Sequence, residues 1–391
     1  MIEKSDQVFV LFARWLEGFL PASWQAAAGV LLGVVGILVV FPTLFAFSVW
    51  LERKALGRMQ NRLGPNRVGP FGLLQPVADA VKALTKEDVV PRNADGVVHF
   101  LAPLVLVVAA FMGFAVLPVG RNMALVEMNA GLLFYFAMGA STELAVFMAG
   151  WSSRNKYSLL GAMRAVAQMV SYEVPMLLSA VAVVMISGSL SLTKIVDAQN
   201  HYTGIFPHWY VFTPWGLAAF LIYVIAATAE TNRSPFDLPE GESELVAGYF
   251  TEYSGFKFAL FFLGEYVGML SVAGLGTTLF LGGWSAPFSL LGWIPSWIWF
   301  FAKVMLWISF FIWLRGTLPR LRQDQLMNFA WKFALPMCLL NLVVAGLWRF
   351  LGDGWARWVV CSAILLVAYV GLGWGGMRKR GIGPRRYRYA E

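Results

Sequence analysis

Four glutamates, Glu143, Glu173, Glu230 and Glu265, stand inside or at the end of long runs that are otherwise almost free of charge. A charged acid at the centre of a membrane helix costs about 2.5–3.5 kcal/mol on insertion scales, so it requires a partner, a hydrated cavity or a proton. The bases at comparable depth are Lys303 and, near a span's end, Arg164. Acids outnumber counter-ions, and desolvation together with mutual repulsion favours protonation, which suits groups that take up and pass on protons. Isolated carboxyls hydrogen-bonded to neighbouring backbone are the plain alternative. Glu173 sits in SYEVP, where Pro175 frees a carbonyl one turn earlier and marks a kink beside the acid.

A second concentration of acid lies in ETNRSPFDLPEGESELVAGYFTEYSG, residues 230–255, directly after an uncharged run. It holds Glu230, Asp237, Glu240, Glu242, Glu244 and Glu252, with Arg233 and Lys257 as the nearby bases. The alternation of acids around Gly241 reads as a loop or a ragged helix start. Such a run is either a solvated surface loop or a negatively charged funnel that joins a chamber to the buried glutamates.

Two further segments carry charge near the membrane. Residues 51–96 continue an opening helix through Glu52, Arg53 and Arg58, and then Gly64, Pro65, Gly69 and Pro70 impose a turn. Leu73, Leu74, Val77, Val81 and Leu84 follow at helical spacing, with Asp79, Lys82 and Lys86 elsewhere on the wheel. That pattern predicts a short helix in the interface plane, either a connector held by snorkelling Lys and Arg or a prop at a lateral entrance for a lipid-dissolved substrate. Near 315–332, Arg315, Arg320 and Arg322 with Asp324 suit carboxylate or protein docking, or serve as topology anchors. No phosphate cradle, Ser/His/Asp set or metal-ligand spacing is present, and two cysteines with three scattered histidines make no cluster, so a redox centre has to sit on another chain.

The elements that must position these groups follow from composition. Hydrophobic residues make up 59% of the 391 and charged residues 13%, about half the charged share of a soluble domain. The expected fold is an all-α polytopic membrane protein of about nine spans, near 27–50, 97–118, 130–150, 165–187, 213–230, 256–282, 297–314, 333–350 and 356–375. The segments at 51–96, 151–164, 231–257, 315–332 and 376–391 hold 23 of the 30 Lys and Arg. The positive-inside rule therefore places them in the cytoplasm, the N-terminus outside and the C-terminus inside. Residues 1–26 read as an amphipathic or interfacial lead-in, 27–350 as one membrane domain, and 351–391 as an additional helix with a basic tail that can touch anionic headgroups. The net charge of +8 is mostly a topology signal, and nucleic acid is not an expected partner.

Four long motifs, ERKALGRMQNRLGPNRVGPFGLLQPVADAVKALTKED, GWSSRNKYSLLGAMRAVAQMVSYEVP, AETNRSPFDLPEGESELVAGYFTEYSG and LPRLRQDQLMNFAWKFALP, closely resemble the family of membrane proteins that shape the quinone site of NADH-quinone oxidoreductase, respiratory complex I, over about residues 25 to 350. The resemblance implies an inner-membrane subunit with no redox centre, inactive alone, that lines a chamber for ubiquinone or menaquinone and anchors peripheral subunits carrying NAD, FMN and iron–sulfur sites. It also implies small membrane subunits and lipid as partners. By motif, Glu52, Arg53, Arg62, Asp79, Arg233 and Asp237 through Glu240, Glu242 and Glu244 correspond to the chamber and its mouth. Glu173, Glu230, Glu252 and Glu265 correspond to a proton route, with Lys303 and Arg164 as modulating charges and Glu143 at a position where family members differ. The helix after residue 350, and Gln323 where the family often has Tyr, depart from the pattern. The equivalent chain of a membrane-bound hydrogenase or reduced-deazaflavin dehydrogenase is the related alternative, and a stand-alone ion transporter is the unrelated one.

Overall fold

A computed structural model describes residues 6–19, 21–237, 247–352 and 354–378. In a bilayer every backbone amide has to be satisfied within its own segment, so the apolar runs become helices. Helix α1 is Val8–Glu17 and α2 is Ala22–Met59. The interface-plane helix α3 spans Gln75–Thr85, and it is followed by α4, Gly96–Met112, and α5, Gly131–Ser152. Helix α6 spans Lys156–Ser187, and the short α7, Leu192–Gln199, leads to a two-stranded hairpin of β1, Tyr202–Thr203, and β2, Phe206–Pro207. Then come α8, Pro214–Glu230, α9, Gly255–Phe280, and α10, Ser296–Thr317. The chain closes with α11, Gln323–Phe329, a π-helical turn at Ala330–Ala334, α12, Leu335–Phe350, and α13, Trp355–Arg378.

Among the described residues, seven helices are long and apolar enough to cross a membrane, and two shorter apolar helices, at Pro214–Glu230 and Trp355–Gly371, accompany them. Their ranges overlap the nine runs expected from sequence, and seven of them meet the length and composition of a span. The boundaries differ where polar residues hide a helix. Helix α6 begins at Lys156, not near 165, because the Asn155 side chain caps it by accepting from the Tyr157 amide at 3.0 Å. In sequence Lys156 and Arg164 interrupt the apolar run there.

The main core forms where α8, α9 and α10 meet, around the fully buried Trp215, Tyr223, Phe280, Phe300 and Phe311. A smaller cluster joins α4, α5, α6 and α9 around Tyr249, Phe250 and Phe261. Here Gly161 is required by close approach, since a Cβ on it would lie 2.7 Å from the Gly248 Cα. At one end Lys303 donates to the carbonyls of Leu281, Gly283 and Ser285 at 2.6, 2.8 and 2.7 Å and sits over the Trp209 ring. Helix α13 lies on α12 and α8, with Trp358 edge-on to Trp348 and Arg357 over the Trp348 ring. Helix α2 is different: only 6% of its apolar window is buried, against 33–61% for the other six long helices.

Candidate functional site

Three glutamates expected from sequence converge. Glu143 of α5 and Glu173 of α6 are side-chain neighbours, and Glu230 at the end of α8 is an electrostatic neighbour of both. Glu143 is 8% exposed, and its Oε1, like Oε2 of Glu230, has no hydrogen-bond partner among the described residues. Glu230 lines an apolar-walled cavity of about 80 Å³ with Glu265, Asn232, Thr142, Tyr135 and Ser271. That space is large enough for several waters, since one water requires roughly 10–15 Å³ by the same measure. Glu265 accepts from the Tyr249 hydroxyl at 2.8 Å and acts electrostatically on Arg233. The cavity therefore runs from the glutamate cluster toward the start of the acidic loop.

At that start lies a compensated carboxylate. Glu52, 4% exposed near the end of α2, accepts from Arg233 at 3.2 Å, from the Tyr266 hydroxyl of α9 at 2.9 Å, and from Arg315 of α10. Burial penalises the Arg233 cation, but Tyr266 and the Glu52 carboxylate outweigh it and raise its pKa above the ordinary guanidinium value. The Arg233 guanidinium also stacks 4.2 Å over the Tyr266 ring. Four segments thus meet on one carboxyl group, fixing the root of the loop at Arg233.

The root is tied twice more. Gln168 of α6 donates to the carbonyls of Ala229 and Phe236 and to the Asn232 side chain at 2.8, 2.6 and 3.2 Å. On the other side Arg320 pairs with Asp237 at 2.8 Å, the Leu321 amide donates to the Pro235 carbonyl, and Ser234 donates to the Leu318 carbonyl. From there α11 leads to Tyr172 of α6, whose hydroxyl donates to the Leu326 carbonyl. Glu240, Glu242 and Glu244 lie outside the described residues. Glu252, past the loop, accepts from Asn155 at 2.6 Å and so is bound to the start of α6.

Beside this cluster a second, larger hollow of about 690 Å³ opens between α2, α3 and α9. Phe45, Phe250, Phe258 and Phe262 supply its apolar wall, and Arg53 and Asp79 stand at its polar rim, paired at 2.5 Å. Gln75 donates to the other Asp79 oxygen. Next to it Arg53, Arg62, Arg67 and Gln75 line a basic hollow of about 780 Å³. An apolar channel with a charged rim suits an amphipathic molecule that brings a polar head to the basic end. On the same side, burial pushes the Tyr253 phenol up to about 12 even though Ser152 shares its hydroxyl.

The structure brings Glu143, Glu173 and Glu230 together, sets Glu265 on the cavity that Glu230 lines, and joins Glu52 to Arg233. It places Lys303 apart from them, on three carbonyls near the start of α10. Arg164 lies half-buried on α6, two turns before Tyr172. Sequence reasoning missed Tyr266, Tyr249 and Gln168, and it did not assign Arg315 to Glu52. None of these stands out locally, because each pairs with a residue distant in the chain.

The family described as NADH dehydrogenase matches residues 32–346. A protein of Dehalococcoides mccartyi (strain CBDB1), named as the H subunit of NADH-quinone oxidoreductase, is 51% identical over 317 residues, covering 79% of this chain and 86% of its own. Proteins of the same name from Paraburkholderia xenovorans and Thermomicrobium roseum are each 47% identical, over 333 and 345 residues. They cover 84% and 85% of this chain and 92% and 99% of their own.

Proposed function

Because this chain belongs to the NADH dehydrogenase family, as a relative of the H subunit of NADH-quinone oxidoreductase, we propose that this membrane component of the complex guides quinone and links its reduction to proton movement. The hollow between α2, α3 and α9 takes the isoprenoid tail, and the Arg53–Asp79 pair and the basic hollow beyond it steer the polar head toward peripheral partner subunits. Electron transfer belongs to those partners. This chain supplies the walls and the proton-bearing groups.

Protons reach Glu230 through the cavity it shares with Glu265, and pass among Glu230, Glu173 and Glu143. The observation that carries this reading is the convergence of three carboxyl groups from three helices beside a cavity large enough for water. Among the described residues the charged neighbours that act on Glu230 are the other two acids, so at most a fraction of the three can be charged together. That restriction makes proton uptake at one felt by the others. In orientation, the N-terminus faces outward and the loops of Arg53, Arg233 and Arg315 face the cytoplasm of an inner membrane.

The test uses the assembled complex in proteoliposomes. Glu230→Gln should abolish most proton uptake coupled to quinone reduction while NADH oxidation by an artificial acceptor stays at the parent rate. Glu240→Gln or Glu242→Gln should lower coupled quinone reduction in the same way. Equal loss of both rates would contradict the proton role and indicate failed assembly.

A further inference from the structure

We propose that α1 is an anchor lying in the membrane plane, its aromatic face set against the lipid boundary where α2 and α10 begin. It precedes the residues matched by the family, which start at 32. Both of its ends are pinned to the starts of membrane-spanning helices. The Asp6 carboxylate accepts from the Ser296 amide at 2.6 Å, at the first residue of α10, and Phe9 packs edge-on to Trp297 at 5.3 Å. At the other end α2 begins at Ala22, five residues after Glu17. A ten-residue helix, about 15 Å long, held between two such starts runs along the boundary and does not cross it.

Its side chains sort in the same sense. Gln7, Arg14 and Glu17 recur on one face, and Phe12, Trp15 and Phe19 on the opposite one. Those three are 56%, 59% and 71% exposed, and their rings follow one another at 6.0 and 4.9 Å. Trp24, 65% exposed at the start of α2, continues the row. Aromatic residues concentrate at the membrane–water interface, and amphipathic helices settle there with their apolar face about 5–10 Å into the headgroup–acyl boundary.

The occupant is phospholipid. Membrane protein–protein contacts favour small residues that let backbones approach, whereas the row formed by Phe12, Trp15 and Phe19 is bulky throughout. The row also continues onto the outer surface of α2, where Val30, Leu31 and Val35 are 58%, 64% and 53% exposed. That surface is the natural acyl-chain face of a spanning helix. The exposed apolar side chains of α2 thus extend the row beyond Trp24.

The experiment places a spin label at Phe12→Cys or, separately, at Arg14→Cys in the assembled complex, with Cys338→Ala and Cys361→Ala removing the buried native thiols. The complex is reconstituted in phosphatidylethanolamine/phosphatidylglycerol vesicles after its NADH:quinone activity is confirmed. Relaxation by oxygen and by a water-soluble nickel chelate then reports depth. The label at position 12 should respond several-fold more to oxygen than to nickel, and the label at 14 should respond in the reverse order. Trp15→Cys is the second site on the apolar face and should behave like position 12. Nickel reaching 12 and 15 freely would put that face in water, and shielding from both reagents would mean that a protein covers it; either result overturns the proposal.

Discussion

Two kinds of buried glutamate coexist, and substitution should separate them. Glu52 is held by two arginines and a tyrosine, so Glu52→Gln strands Arg233, 8% exposed, without its counter-charge. Breaking a buried pair from one side costs about 3–5 kcal/mol, and the expected outcome is a marked fall in the heat-inactivation midpoint of the assembled complex. Glu230→Gln removes no such partner and should leave that midpoint nearly unchanged, while coupled turnover is lost. The acids themselves are legible in the sequence, because a carboxylate in an apolar run contrasts with everything around it. Their partners are not: Arg233 and Arg315 lie 181 and 263 residues from Glu52, and helical periodicity carries no information about pairs so far apart.

Elements show the same division. The apolar spacing of Val77, Val81 and Leu84 is enough to read α3 as a surface helix, and these residues are 55%, 55% and 63% exposed in the folded chain. The pairing of Asp79 with Arg53 across the rim of the hollow needs the tertiary fold. Asp79→Leu should slow turnover more with long-tailed than with short-tailed quinones, checked by comparing kcat/KM for a decyl analogue and a native-length quinone. An equal loss with both would remove α3 from the entrance. Helix α6 against the turn at Gly248–Phe250 gives a packing test. Gly161→Val forces the two backbones apart and should destabilise the complex by about 1–3 kcal/mol, visible as increased protease sensitivity between residues 247 and 254. The π-helical turn at Ala330–Ala334 is not legible in the sequence pattern, since a single wide turn is too short to establish a period of its own.

For the whole molecule, hydropathy and the distribution of Lys and Arg are sufficient to read a multi-pass membrane protein, because the bilayer imposes long apolar segments irrespective of how they pack. How the helices cluster was not readable, because helix order around a core depends on shape complementarity between distant surfaces. In sequence the acidic loop reads as either a surface run or a charged funnel, and in the folded chain its described root is fastened by Gln168, Arg233 and Arg320. The sparse coverage of α2 has a different consequence. With 6% of its apolar window buried, this helix depends for most of its burial on what surrounds the chain in the membrane, hydrocarbon chains or a neighbouring subunit. Transfer from nanodiscs to a short-chain detergent should loosen α2 ahead of the α8–α10 core, detected as early hydrogen–deuterium exchange between residues 24 and 40. Purification conditions then become a structural variable: a preparation stripped of lipid would retain its aromatic centre while losing one wall of the 690 Å³ hollow proposed for quinone entry.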